Sequence, residues 1–252
     1  MVKIVVFDSG LGSLSIIKAI QKRITADIIY FADQKNFPYG TKSANNLKKI
    51  IEYTIIKLEK KFQPDLIVIG SNTPSLLLTN LFNNRKIIGV FPPLKDSKRK
   101  TKAKTIAILA TKSVIESNVL QSYINKNLTK KIKVIKINAS QLIELVESGK
   151  FINNKNLCKN KIKKILSKQF VKNHVDVATL SSTHLPFLLP FFKQIFPKII
   201  FLDPGNIIAE KIVKKLKHKN KTRSLTIFTS GNVQKFQKIL SKIGIKNKIR
   251  SL

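Results

Sequence analysis

Short apolar runs rich in β-branched residues alternate with amphipathic stretches along the chain, and this alternation restricts the fold more than any other feature. The runs are Lys3–Asp8, Ile28–Ala32, Leu66–Gly70, Ile87–Val90, Thr105–Ala110, Lys133–Asn138, Val175–Leu180, Ile199–Leu202 and Leu225–Thr229. Several are apolar almost without a break, as strands covered on both faces must be. Between them, Ser43–Phe62 carries Leu47, Ile50, Ile51, Ile55, Leu58 and Phe62 near a 3.6-residue period, and Ser43 can cap it. Helical patterns also cover Leu11–Ile24, Pro74–Asn83, Ser113–Asn127, Gln141–Ser148, Asn154–Phe170, Gly205–Lys217 and Val233–Ile243. Strand and helix in alternation predict an α/β fold with parallel sheets.

Two proline-bearing segments, Pro92–Ser97 and Asp203-Pro204-Gly205, predict crossings between domains. The chain then forms a first α/β domain from residues 1–93 plus 205–252 and a second from 94–204. A faint repeat supports two related halves. Leu66–Pro74 and Val177–Leu185 are each an apolar strand ending in small hydroxyl residues and a polar pair before a helix. The expected architecture is two pseudo-symmetric parallel-sheet α/β domains with a ligand cleft between them, since ligands of open α/β sheets sit at strand carboxyl ends.

Hydrophobic residues are 43% of the 252, enough for a real core. Lys and Arg number 48 against 13 acids, a formal charge of +35. That excess, dense in Lys95–Lys104, Lys159–Lys168 and Lys214–Arg223, raises two readings: non-specific binding of polyanions such as nucleic acid, or an ordinary wet surface written in lysine. In the middle run Cys158, Ile162, Ile165 and Leu166 share one helix face, so the lysines occupy the solvated side and the lone cysteine reads as a small buried hydrophobe. A single cysteine supplies neither an intramolecular disulfide nor a cysteine cluster for a metal. The greasiest stretch, Leu185–Leu202, is broken by Pro186, Pro190, Lys193 and Pro197, so no membrane span is expected. Met1–Asp8 reads as a strand rather than a signal peptide, and a cytoplasmic location is expected. His174 and His218 lie in lysine- and asparagine-rich contexts and read as solvated.

Four polar clusters follow strands: Asp8-Ser9-Gly10-Leu11-Gly12, Pro38–Ser43, Ser71-Asn72-Thr73 and Ser182-Thr183-His184. Any one of them is explained by helix capping; all four in register with strand ends point to a ligand site. A dinucleotide fingerprint from Gly10, Gly12 and Asp33 fails on two counts. Ser15 stands where the third glycine belongs, and Asp8 would repel a pyrophosphate.

These clusters, with Tyr30-Phe31-Ala32-Asp33, Leu145–Gly149 and Thr229–Asn232, resemble the glutamate racemases of the aspartate/glutamate racemase superfamily, from residue 3 to about 245. The resemblance implies interconversion of L- and D-glutamate without a cofactor or metal, for peptidoglycan supply, in a protein that commonly pairs as a homodimer. Aspartate stays open as a substrate, because one methylene is worth only ~1–3 kcal/mol in a pocket. It places Asp8 and Ser9 at the substrate's amino end. Tyr39-Gly40, Asn72-Thr73 and Thr183-His184 would hold its carboxylates, with Thr111 lining the second domain's side. The family moves the α-proton with two cysteines, one preceding Asn-Thr and one preceding Thr-His, assisted by polar residues that match Asp8, Glu147 and His184. Here both cysteine positions are serine, Ser71 and Ser182. A serine hydroxyl is far less acidic than a thiol and needs an adjacent base, so impaired turnover is expected. A Ser182–His184 pairing is one rescue, although the Gly-x-Ser-x-Gly elbow of many hydrolases is absent. His184 has a plainer alternative, a hydrogen bond at a domain boundary. A catalytically inactive racemase fold acting on DNA or a DNA-handling partner is the second functional reading.

Overall fold

The apolar runs pair edge to edge, every pairing parallel, into two sheets. The structure is a computed structural model and describes residues 1–216 and 221–252. The chain begins with β1 (Lys3–Asp8), α1 (Ser13–Gln21), β2 (Asp27–Ala32), α2 (Ala44–Phe62), β3 (Leu66–Ile69), α3 (Asn72–Leu77) and β4 (Ile87–Gly89). It continues through α4 (Leu94–Lys100), β5 (Thr105–Ala110), α5 (Lys112–Ile115), α6 (Asn118–Asn127), β6 (Lys133–Asn138), α7 (Ser140–Glu147), α8 (Lys150–Asn153), α9 (Lys155–Lys172), β7 (Val177–Leu180), α10 (Leu189–Ile195) and β8 (Ile200–Leu202). It closes with α11 (Gly205–Lys215), β9 (Ser224–Thr229), α12 (Val233–Lys242) and β10 (Ile249–Ser251). These elements form two units: unit 1 is Met1–Val90 with Gly205–Leu252, and unit 2 is Phe91–Pro204.

Unit 1 holds a sheet of order β10-β9-β2-β1-β3-β4, and unit 2 one of order β6-β5-β7-β8. The second order is the first repeated without β9 and β10: β1 corresponds to β5, and β3 to β7. Burial follows position in the sheet. β3, β5 and β7 are buried along their whole length, and β1 all but its first residue. The edge strand β6 is mostly exposed or half-buried.

Each unit has its own core. In unit 1, Leu47, Ile51 and Leu58 of α2 pack on Val5, Phe7, Ile67 and Ile69. The Ser43 hydroxyl accepts from the Asn46 amide at 3.3 Å and opens α2 as the sequence predicts. In unit 2, Cys158, Ile162, Leu166 and Phe170 of α9 pack with Leu109, Leu142 and Leu180. Cys158 is fully buried, and burial pushes its thiol pKa up, away from the reactive thiolate. Each such Leu or Ile contributes ~1.5–3 kcal/mol on burial.

The helices differ from the periodicity in several places, α8 and α10 among them lying outside the predicted patterns. The pattern over Ser113–Asn127 breaks into α5 and α6 because Ser117 turns extended and caps α6, its hydroxyl accepting from the Leu120 amide at 3.2 Å. The pattern over Pro74–Asn83 starts earlier, at Asn72, and tightens into a 3-10 turn at Thr79–Asn83 where Leu78 leaves helical geometry. The basic run from Lys95 opens as a helix, α4. The expected end of the Gly205 helix at Lys217, the middle of the Lys214–Arg223 run and His218 lie outside the described residues. Among the described residues no helix is long and apolar enough to cross a membrane. His174 is exposed, as its lysine- and asparagine-rich context predicts.

Candidate active site

In unit 1 the candidate residues gather at the carboxyl edge of the sheet, because parallel register ends three neighbouring strands together. Asp8 lies beside Ala32, and Phe7 beside Ile69. Asp8 is 1% exposed, and its Oδ1 accepts from the Ser9 amide at 2.6 Å. The Tyr30 hydroxyl donates to the Gly10 carbonyl and holds the loop that follows β1. The end of β3 approaches the start of α1 so closely that only glycine fits at 70: a Cβ there would stand 1.9 Å from Ser13 Oγ. Ser71 follows in extended conformation at the head of α3, yet its side chain makes no capping bond, and among the described residues its hydroxyl has no hydrogen-bond partner. Asn72 donates from Nδ2 to the Val90 carbonyl at 3.1 Å, while its buried Oδ1 has no partner among the described residues. Thr73 is buried beside it.

Tyr39 and Gly40 lie in the loop after β2, and Tyr39 is buried. Its hydroxyl donates to Asp33 Oδ2 at 3.0 Å. The same carboxylate accepts from Asn36 Nδ2 at 2.8 Å and, through Oδ1, from Ser230 Oγ at 3.0 Å. Burial first, then the negative charges of Asp33 and Asp8, raise the Tyr39 pKa well above the usual phenol value. Tyr39 is therefore a fixed donor and not a base at neutral pH.

In unit 2, Ser182 and His184 sit on the turn between β7 and the helical turn Leu185–Leu188, both 7% exposed, with Thr183 buried between them. Glu147 is the last residue of α7. Its Oε2 lies 2.8 Å from His184 Nε2, and Ser182 Oγ lies 3.5 Å from His184 Nδ1. Three candidate residues thus form one chain of hydrogen-bonding groups. Thr111 follows β5, and its hydroxyl bonds Ser113 Oγ at 3.1 Å, apart from that chain. Among the described residues no group of three or more His, Cys, Asp or Glu is arranged around a metal position.

The two sheets place Ser71 and Ser182 alike. Each stands two residues beyond a corresponding strand, β3 or β7, and each is followed by a polar pair. Comparison with known proteins identifies this frame. A glutamate racemase of Buchnera aphidicola is 34% identical over 240 residues, 91% of this chain and 91% of the relative. One from Actinobacillus pleuropneumoniae is 31% identical over 218 residues, 84% and 80% of the two chains. The chain belongs to the glutamate racemase family.

Solved glutamate racemases share the fold. An isoform from Bacillus anthracis superposes with a TM-score of 0.86 at 22% identity, over 100% of this chain and 97% of the other. The Escherichia coli glutamate racemase, solved with L-glutamate and the activator UDP-MurNAc-ala, gives 0.84 at 22% identity, over 100% and 98%. No protein-family model matches the chain.

The anchoring of Tyr39 is a feature of this glutamate racemase fold that no pattern in the sequence reveals. Asp33 and Ser230 are 197 residues apart in the chain and meet only because β9 pairs with β2.

Proposed function

We propose that this chain binds glutamate as its racemase relatives do and racemises it slowly, because Ser71 and Ser182 occupy the two acid–base positions. The observation that carries the reading is the matched placement of these serines at corresponding strand ends of two sheets of the same order. Inversion at an α-carbon requires one group to remove the proton and a second, on the other face, to deliver one. A thiol, with a reference pKa near ~8.5, can be tuned to serve as either. A serine can serve only with a base already at hand. Asp8 and the buried Oδ1 of Asn72 are acceptors suited to the ammonium of the substrate. Ser9 stands with Asp8 at the amino end, Thr73, Thr183 and His184 with the Tyr39-Gly40 loop supply donors for its carboxylates, and Thr111 belongs to the second unit's lining. A Francisella tularensis relative is solved with D-glutamate, which supports glutamate over aspartate. The D-isomer would feed peptidoglycan synthesis.

The test is α-proton exchange in heavy water, followed on L- and D-glutamate separately. Restoring cysteine in Ser71→Cys/Ser182→Cys raises racemisation by ~10²–10⁴-fold, the usual worth of a positioned acid–base group. Equal rates in the two chains would sink the reading, as would failure of either enantiomer to bind by calorimetry.

A second reading has one observation of its own. The helix α9 carries seven lysines and no acidic residue, on the faces its apolar stripe leaves free. A polyanion such as DNA would bind there mainly by counterion release, with affinity falling steeply as salt rises. A DNA titration that shows no association at low salt removes it.

A further inference from the structure

We propose that unit 2 carries a serine acyl-transfer centre of its own, with Ser182 as nucleophile, His184 as base and Glu147 as the residue that positions the base. The roles follow from hydrogen-bonding chemistry. An ionised carboxylate only accepts, so the 2.8 Å contact assigns the imidazole hydrogen to Nε2. In the neutral imidazole, the form a base requires, Nδ1 is then the acceptor, and Ser182 Oγ stands 3.5 Å from it. The Ser–Nδ1 separation is at the long end for a hydrogen bond, as is common before a reactant draws nucleophile and base together. Side-chain exposure is 8% for His184 and 17% for Glu147, so the positive charge that develops on the imidazole is stabilised by a carboxylate largely shielded from water. Such triads are recognised by geometry and occur on unrelated folds, so the missing Gly-x-Ser-x-Gly elbow does not count against this one.

Ser71 supplies the contrast. Its hydroxyl has no hydrogen-bond partner among the described residues, and unit 1 has no described histidine. Racemisation needs two activated groups, whereas attack on a carbonyl needs one. Unit 2 has that one, and the activity holds whether or not glutamate is the ligand.

The substrate class is a carboxylic ester, whose carbonyl carbon a single activated serine attacks. Ser182 Oγ forms a bond to the carbonyl carbon while its hydrogen passes to His184 Nδ1. The carbon–oxygen bond to the alcohol then breaks, and His184 returns that hydrogen to the departing alkoxide. Water, losing a proton to Nδ1, adds to the acyl carbon. The bond to Ser182 breaks, the acid leaves, and the serine recovers its hydrogen.

The experiment treats the full chain with a fluorophosphonate probe, which bonds phosphorus to an activated serine oxygen with loss of fluoride, and maps the label by peptide mass spectrometry. The label is expected on Ser182 and absent in Ser182→Ala. His184→Gln slows labelling by ~10²–10⁴-fold. Glu147→Gln slows it less, and Glu147→Asp recovers part of the rate, which a merely structural role would not produce. Melting curves verify that each variant is folded; if His184→Gln is not, the Glu147→Gln and Glu147→Asp pair carries the comparison. Hydrolysis of p-nitrophenyl acetate should follow the same order. Absence of label, label on Ser71 or another serine, or labelling of Ser182 at equal rates in these variants overturns the proposal.

Discussion

Tyr39 illustrates how a single side chain is committed by its surroundings. Buried and bonded to Asp33, its phenol has a folded-state pKa well above 10.0, the value it regains on unfolding. The unfolded chain therefore releases this proton first as pH rises. The stability contributed by Tyr39 is present in full below pH ~10 and declines above it. Tyr39→Phe should cost ~1.5–3 kcal/mol near pH 8, the worth of a hydrogen bond to a charged group. The gap between the two chains in urea unfolding should narrow at pH 10.5. A gap that stays constant with pH would show that the hydroxyl does not hold its proton in the way burial and Asp33 require. Tyr123, whose burial raises its pKa to about 12, adds alkaline sensitivity of the same sign in both chains. The residue types of the candidate site were legible in the sequence, down to serine at 71 and 182. Their partners were not. Nothing in the order of residues says that Glu147 reaches His184, 37 positions away, or that Asp33 accepts from Ser230.

Among the elements, β3 and α1 show how a strand end is placed. Gly70 allows Ser13 to come within bonding distance of its carbonyl, at 3.3 Å. In Gly70→Ala the new methyl meets both Ser13 Oγ at 1.9 Å and Ser13 Cβ at 2.9 Å, so the head of α1 or the end of β3 must shift. A loss of ~1–3 kcal/mol is expected in denaturant unfolding, with weaker glutamate binding because Ser71 and Asn72 follow directly. Unchanged stability would mean that the approach is looser than the geometry indicates. The sheets' inner strands were readable because burial on both faces demands unbroken apolar sequence. The last strand, β10, was not: only Ile249 of its three residues is buried, so it carries too little pattern to separate from a tail. The break between α5 and α6 was hidden for the opposite reason, since apolar spacing continues across it and only the cap at Ser117 marks the division.

For the whole molecule, charge sets the balance. With 48 basic residues and 13 acidic ones, at least 35 cations have no acid of their own. Exposed pairs such as Arg23–Glu210 and Lys48–Glu52 contribute little each. Self-repulsion should dominate at low ionic strength, where the screening length is ~30 Å at 0.01 M, and fade as it falls to ~8 Å at 0.15 M. The melting temperature is expected to rise with sodium chloride over this range, by about 2–4 °C for each kcal/mol relieved; a fall would mean that attractive pairs outweigh the excess. The sequence by itself determined the α/β class, the inner strands, the family and the two serines, because burial and residue chemistry are written position by position. Only the tertiary structure decided which strand lies beside which, and with it the Tyr39–Asp33–Ser230 and Ser182–His184–Glu147 groupings. Hydrogen bonds between distant residues depend on sheet order and register, which no local pattern encodes.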